Sequence, residues 1–150
     1  MKSERGMTLI EVLVAVLVLA IGLLGLAGLQ MTGLKSNHSA YLRSQTTLLA
    51  YDLTDRMRVN RAAALDGYYD DCDEDLDGND CENWMGSVPA LLGAGATGNI
   101  TRNGNRVRVC IEWDDSRGGI KNSSGETVGG FDCEGNDSDT RVAFMYVTEI

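Results

Sequence analysis

Apolar positions are distributed along this chain in three distinct ways. From Val12 to Leu34 they run almost without interruption, with no charged residue in 23 positions. At about 1.5 Å rise per residue, a helix of that length covers roughly 34 Å, against a bilayer hydrocarbon core of about 30 Å. Between residues 35 and 64 the pattern becomes periodic. Leu42, Leu49, Leu53 and Met57 recur at helical spacing, with Tyr41, Leu48 and Ala50 beside them and Asp52, Asp55, Arg56 and Arg58 elsewhere on the surface. This predicts an amphipathic helix that continues the apolar one and ends near Leu65-Asp66-Gly67, where glycine can cap it. In the last third the period shortens to two. Residues 106–113 place Val107, Val109, Ile111 and Trp113 on one face, with Arg106, Arg108, Cys110 and Glu112 on the other. Residues 140–150 alternate again, with Val142, Phe144 and Tyr146 opposite Ala143, Met145 and Val147.

These segments predict an α+β fold. One long helix packs its second half on an antiparallel sheet of about four strands. Asn103-Gly104 marks a hairpin after a short strand over 99–102. A further short strand is expected near 126–131, and the final strand is expected to be buried on much of both faces. Residues 84–98, rich in Gly and Ala, are expected to be irregular.

The chain has 150 residues, which suits one domain, and a formal charge of −9. That balance argues against direct nucleic-acid binding, which needs a basic footprint. His38 is the only histidine and reads as a solvated residue of the helix. No histidine–carboxylate cluster is present, so no catalytic residue and no required cofactor is expected. Nine acidic and no basic residues lie in 66–82, which carry as much negative charge as the whole chain. Within them Asp73, Asp75, Asp77 and Asn79, with Gly78, match the first half of a calcium loop, because hard cations take oxygen ligands from alternate positions. The second half fails, with Cys81 and Trp84 at the ninth and twelfth positions. A calcium site and a solvated acidic loop are both open readings.

Glu11 is the one charge inside the first apolar segment. A carboxylate there costs on the order of 2–3 kcal/mol without a partner, which makes it a functional candidate. Lys2 and Arg5 precede the segment and favour a cytoplasmic N-terminus. A secretory signal peptide cut near Gly25 or Ala27 and a plain single-span anchor are alternative readings; Glu11 is awkward in both. Gly22, Gly25, Gly28 and Gly33 suit close helix packing, and equally the ordinary tolerance of glycine in membrane spans.

Gly6-Met7-Thr8-Leu9-Ile10-Glu11, followed by a long apolar helix, resembles the prepilin motif of type IV pilins and pseudopilins. The resemblance implies cleavage after Gly6 by prepilin peptidase and methylation of the new N-terminus at Met7. Met7 departs from the family's usual Phe. It also implies that Glu11 of one subunit neutralises the Met7 ammonium of another and sets axial register in a filament. Residues 39–61 narrow the resemblance to minor pilins of the PilV type. The implied organisation is a leader over 1–6, a transmembrane and assembly helix over 7–34, and a periplasmic globular domain over 35–150. The implied partners are other minor pilins and the major pilin through the N-terminal helix, prepilin peptidase, a tip adhesin, and the inner membrane before assembly. Adhesion and twitching motility would follow from the pilus.

Four cysteines in an exported domain imply two disulfides, with three possible connectivities. Cys72–Cys81 and Cys110–Cys133 are the favoured pairs, because each closes a local loop; the second matches a region that pilins commonly pin before the last strand.

Overall fold

The computed structural model describes residues 8–70, 72, 80–116, 118, 123–124, 130–136, 138 and 140–150. Its elements are helices α1 (Leu9–Val59), α2 (Arg61–Leu65) and α3 (Asp80–Leu92), then strands β1 (Thr97–Asn103), β2 (Arg106–Asp114) and β3 (Arg141–Glu149). The chain divides after Leu34 into two compact units, and α1 contributes to both.

In the first unit, α1 begins at a turn closed by the Glu11 and Val12 amides donating to the Thr8 carbonyl, at 3.1 and 3.3 Å. Glu11 sits in the first helical turn, where a negative charge complements the helix dipole. No side chain in its most apolar stretch is buried. It is one helix long and apolar enough to cross a membrane.

In the second unit, α1 buries Leu42, Thr46, Leu49, Ala50, Leu53, Thr54 and Met57, the stripe that a 3.6-residue period demands. Thr46 and Thr54 can join it because their hydroxyls donate to the carbonyls of Leu42 and Tyr51, at 2.7 and 3.0 Å. Tyr41 and Leu48, expected beside the stripe, are instead exposed. The helical run breaks at Asn60 and resumes as α2. Gly67 takes a φ of 96° after it, while the Tyr68 amide donates to the Ala63 carbonyl at 3.1 Å. That bond spans five residues, as in a Schellman cap.

α3 corrects the expectation of irregular chain over 84–98. Cys81, Trp84, Val88 and Leu92 are spaced three and four apart and all are buried. Gly86 and Pro89 read as breakers, but a Cβ on Gly86 would meet nothing within 4 Å, and the apolar stripe prevails over propensity. Gly93, with φ 109°, ends the helix.

The sheet has the order β1-β2-β3, antiparallel throughout, so the described residues form three strands where about four were expected. Of the segment expected near 126–131, positions 126–129 lie outside the described residues, and Phe131 forms an isolated bridge. The hairpin turn falls one residue later than expected. Asn103 pairs with Arg106, and Gly104-Asn105 form the two-residue loop. Gly104 has φ 61° and no other residue type in the described chain has positive φ, which is the II′ pattern with glycine first.

The inner sheet face carries Val107, Val109, Ile111 and Trp113 from β2, all fully buried, with Val142 from β3. They pack with Leu53, Met57, Tyr69 and Trp84 into one core. β3 is not buried on both faces: Ala143 is covered, but Met145 and Val147 are 44% and 53% exposed. Among the described residues, the loop carrying Cys133 is bonded to Cys110 on the outer face.

Candidate functional site

The candidate site with a chemical rationale is the start of α1. From Leu9 to Leu34 its large apolar side chains all face solvent, Leu9 at 91% and Leu24 at 74% exposure. Between Val12 and Leu34 the only polar side chains are those of Gln30 and Thr32, and Thr32 returns its hydroxyl to the Gly28 carbonyl at 3.1 Å. Apart from the Gln30 amide, the surface therefore offers only dispersion contacts and solvent exclusion. Added Cβ atoms at Gly22, Gly25, Gly28 and Gly33 would meet nothing within 4 Å, so packing among the described residues does not require glycine at these positions.

Glu11 is exposed at the head of this surface, and among the described residues it has no ion-pair partner. A carboxylate that must enter an apolar layer needs a cation. Gly6 and Met7, the expected cleavage and methylation positions, lie outside the described residues.

Asp73, Asp75, Asp77 and Asn79 also lie outside them. At the borders of that segment, Cys72 is bonded to Cys81. Asp70 holds Arg102 by two hydrogen bonds at 2.7 and 3.0 Å, and Asp80 pairs with Arg56 at 3.3 Å. The hydrogen bonds to Asp70 hold the Arg102 guanidinium above its ordinary pKa. Among the described residues no three His, Cys, Asp or Glu side chains converge as metal ligands. His38 is exposed on α1.

Cys110 of β2 is bonded to Cys133, and this bridge holds the 130–136 loop on the outer sheet face. The Cys133 amide donates to Glu112 at 3.2 Å, and Arg141 hydrogen-bonds to Glu112 and to the Gly95 carbonyl. Within the loop, the Asn136 side chain and main-chain amides donate to Asp132 and hold its carboxyl below the ordinary range.

One structural residue escaped the sequence reading. Asp115 is only 2% exposed and accepts the Ser39 hydroxyl at 2.6 Å, tying α1 to the chain that leaves β2. The second of two consecutive Asp residues at a strand's end carries no signal that would have marked it, since its partner is 76 residues away.

Residues 1–27 match the protein family described as the prokaryotic N-terminal methylation motif. No curated protein matches the chain, and no solved structure matches it either. The chain thus carries the N-terminal methylation motif of prokaryotic pilin-type proteins on an α+β architecture of pilin type. The match supports a type IV pilin or pseudopilin, and a structural rather than an enzymatic role. Together with the apolar helix, it fits anchoring in the inner membrane followed by entry into a pilus-type filament.

Proposed function

We propose that this chain is a minor pilin of the type IV pilus, processed by prepilin peptidase, that helps prime pilus assembly within a complex at the pilus tip. The observation that carries the reading is the fully exposed apolar stretch of α1, headed by Glu11 directly after the methylation motif. Such a surface has two physical resting places, lipid and the apolar helices of other subunits. Removal of residues 1–6 leaves it intact and creates an ammonium at Met7, the cation that a neighbouring Glu11 needs. The pairing offsets both desolvation costs and fixes register along the axis. The globular unit then selects neighbours by shape and charge, with other minor pilins, the major pilin and a tip adhesin as the proposed partners. The resemblance of residues 39–61 to PilV-type minor pilins supports the minor role.

A minor pseudopilin of type II secretion shares the same architecture. An in-frame deletion in a strain unable to retract its pili separates the two. Few surface pili with normal exoprotein secretion supports the priming minor pilin. Normal piliation with lost secretion assigns the chain to the secretion machine. A tethered calcium-binding module is a third reading; it requires heat on calcium titration and has no need of Gly6.

A further inference from the structure

The outer face of the sheet is mixed, with Met145 and Val147 exposed on β3 beside polar positions, and toward the β1–β2 hairpin it turns cationic. Arg106 and Arg108 alternate with the buried Val107 and Val109, so both guanidinium groups stand on the outer face of the central strand. They are two residues apart, about 6.7 Å along the strand. Arg108 lies in the cross-strand row Thr101–Arg108–Val147, and Arg106 in the row Asn103–Arg106–Glu149. A groove of about 420 Å³ runs over these rows, lined by Thr101, Arg102, Asn103, Arg106, Arg108 and Val147.

Among the described residues the two arginines are poorly neutralised. Among the described residues Arg108 has no ion-pair partner. Arg106 reaches only Glu149, at 3.8 Å, with both side chains about 70% exposed, a geometry that contributes little. Arg102 differs, being held by Asp70. The carboxylates of Asp132 and Glu134 lie toward the opposite end of the same face, in a second groove that shares Thr101 and Arg108. The face therefore runs from acidic at the Cys133 loop to basic at the hairpin.

We infer that the Arg106–Arg108 groove is a docking surface for an acidic, extended segment of a partner protein, with carboxylates at alternate positions. Charge complementarity carries the assignment. Carboxylates at alternate positions of an extended chain repeat at the same interval of about 6.7 Å as the two guanidiniums. Arginine suits this role because its planar fork takes a carboxylate bidentately. Thr101 and Asn103 add hydrogen-bonding side chains beside the arginines, and Val147 offers an apolar contact between charged positions. A nucleic acid is the disfavoured occupant, because the whole chain is at −9 and repels a polyanion, whereas a short acidic segment meets only the local field. This inference does not depend on the pilus assignment, since it rests on the sheet face alone.

The test uses the full chain in zwitterionic detergent. The probe is a labelled peptide with the sequence of residues 66–82, its two cysteines bridged. That sequence offers Asp73, Asp75 and Asp77 at alternate positions. Binding is read by fluorescence anisotropy at about 50 mM and about 300 mM salt, across a strong change in screening. The expected result is saturable binding at low salt that weakens at high salt. A double charge reversal, Arg106→Glu with Arg108→Glu, should weaken it about tenfold or more. Arg108→Lys keeps the charge but loses the bidentate fork, so it should weaken binding less than the charge reversal does, and Arg43→Ala on α1 should leave it unchanged. Circular dichroism of each variant checks that the exposed substitutions leave the fold intact. Equal binding by wild type and the double variant overturns the inference, and so does absence of binding at low salt. Tighter, arginine-dependent binding of a short DNA duplex also overturns it, in favour of a nucleic-acid surface.

Discussion

The indole N–H of Trp84 donates to the main-chain carbonyl of Leu49 at 2.8 Å. This bond joins α3 to the C-terminal part of α1, and both residues belong to the core. The Trp84 ring reaches across to β1. A Cβ built on Gly98 would lie 2.7 Å from two of its ring carbons. Gly98 is therefore required for close approach, not for backbone freedom. Gly98→Ala is expected to destabilise the globular unit by about 1–3 kcal/mol through overpacking. Thermal denaturation of the full chain in detergent checks this; an unchanged midpoint would show that Trp84 can withdraw freely.

Tyr69 gives a pH dependence. Its side chain is 1% exposed, and among the described residues no hydrogen bond of ordinary geometry reaches its phenol oxygen, Asn60 being the polar side chain beside it. Burial, reinforced by the nearby Asp80, raises its pKa above the ordinary value of 10.0. Because the folded pKa is raised, the unfolded chain loses this proton first. The contribution is complete below about pH 10 and is lost as pH rises through the higher folded value. Stability should fall above about pH 10, and Tyr69→Phe should flatten that fall while costing little at neutral pH. Urea denaturation at neutral and alkaline pH distinguishes the two proteins.

The Cys110–Cys133 bridge closes 23 residues of sequence separation and holds the Cys133 loop over the outer face. Replacing both cysteines by serine is expected to cost about 2–4 kcal/mol. It should also speed exchange of the Cys133 amide, which now donates to Glu112. Hydrogen exchange localised to residues 130–136 with the rest of the sheet unchanged is the expected signature.

On the proposed pilin reading, a change at Glu11 should separate membrane insertion from assembly. Glu11→Ala removes the lone carboxylate from an otherwise apolar helix, so retention in the membrane should be undiminished, while incorporation into pili should fall at least about tenfold. Fractionation followed by counting of the protein in sheared pili measures both. Normal incorporation of the variant would remove the register argument.

The division between what the sequence disclosed and what it concealed follows the range of the forces involved. The apolar run of α1 and the alternation in β2 are local, and both elements are observed where the pattern puts them. α3 was hidden because Gly86 and Pro89 punctuate a segment whose stripe, Cys81, Trp84, Val88 and Leu92, becomes visible only when a partner surface buries it. Thr46 and Thr54 look polar in a pattern, yet their hydroxyls are satisfied within the helix and they pack in the core. Met145 and Val147 look buried by composition but face outward, because the loop pinned by Cys133 covers only part of that face. The motif ending at Glu11 was legible because it is a contiguous chemical signal, whereas Asp115 and Ser39 meet only through the fold.

The most direct measurement is the mass of the N-terminal peptide of the mature protein recovered from membranes or sheared pili. The account predicts a chain beginning at Met7, one methyl group heavier than the unmodified residue, with the whole apolar helix retained. Gly6→Ala should abolish that species and leave the uncut form. A mature chain beginning after the apolar segment, or one that keeps residues 1–6 in assembled pili, would contradict it.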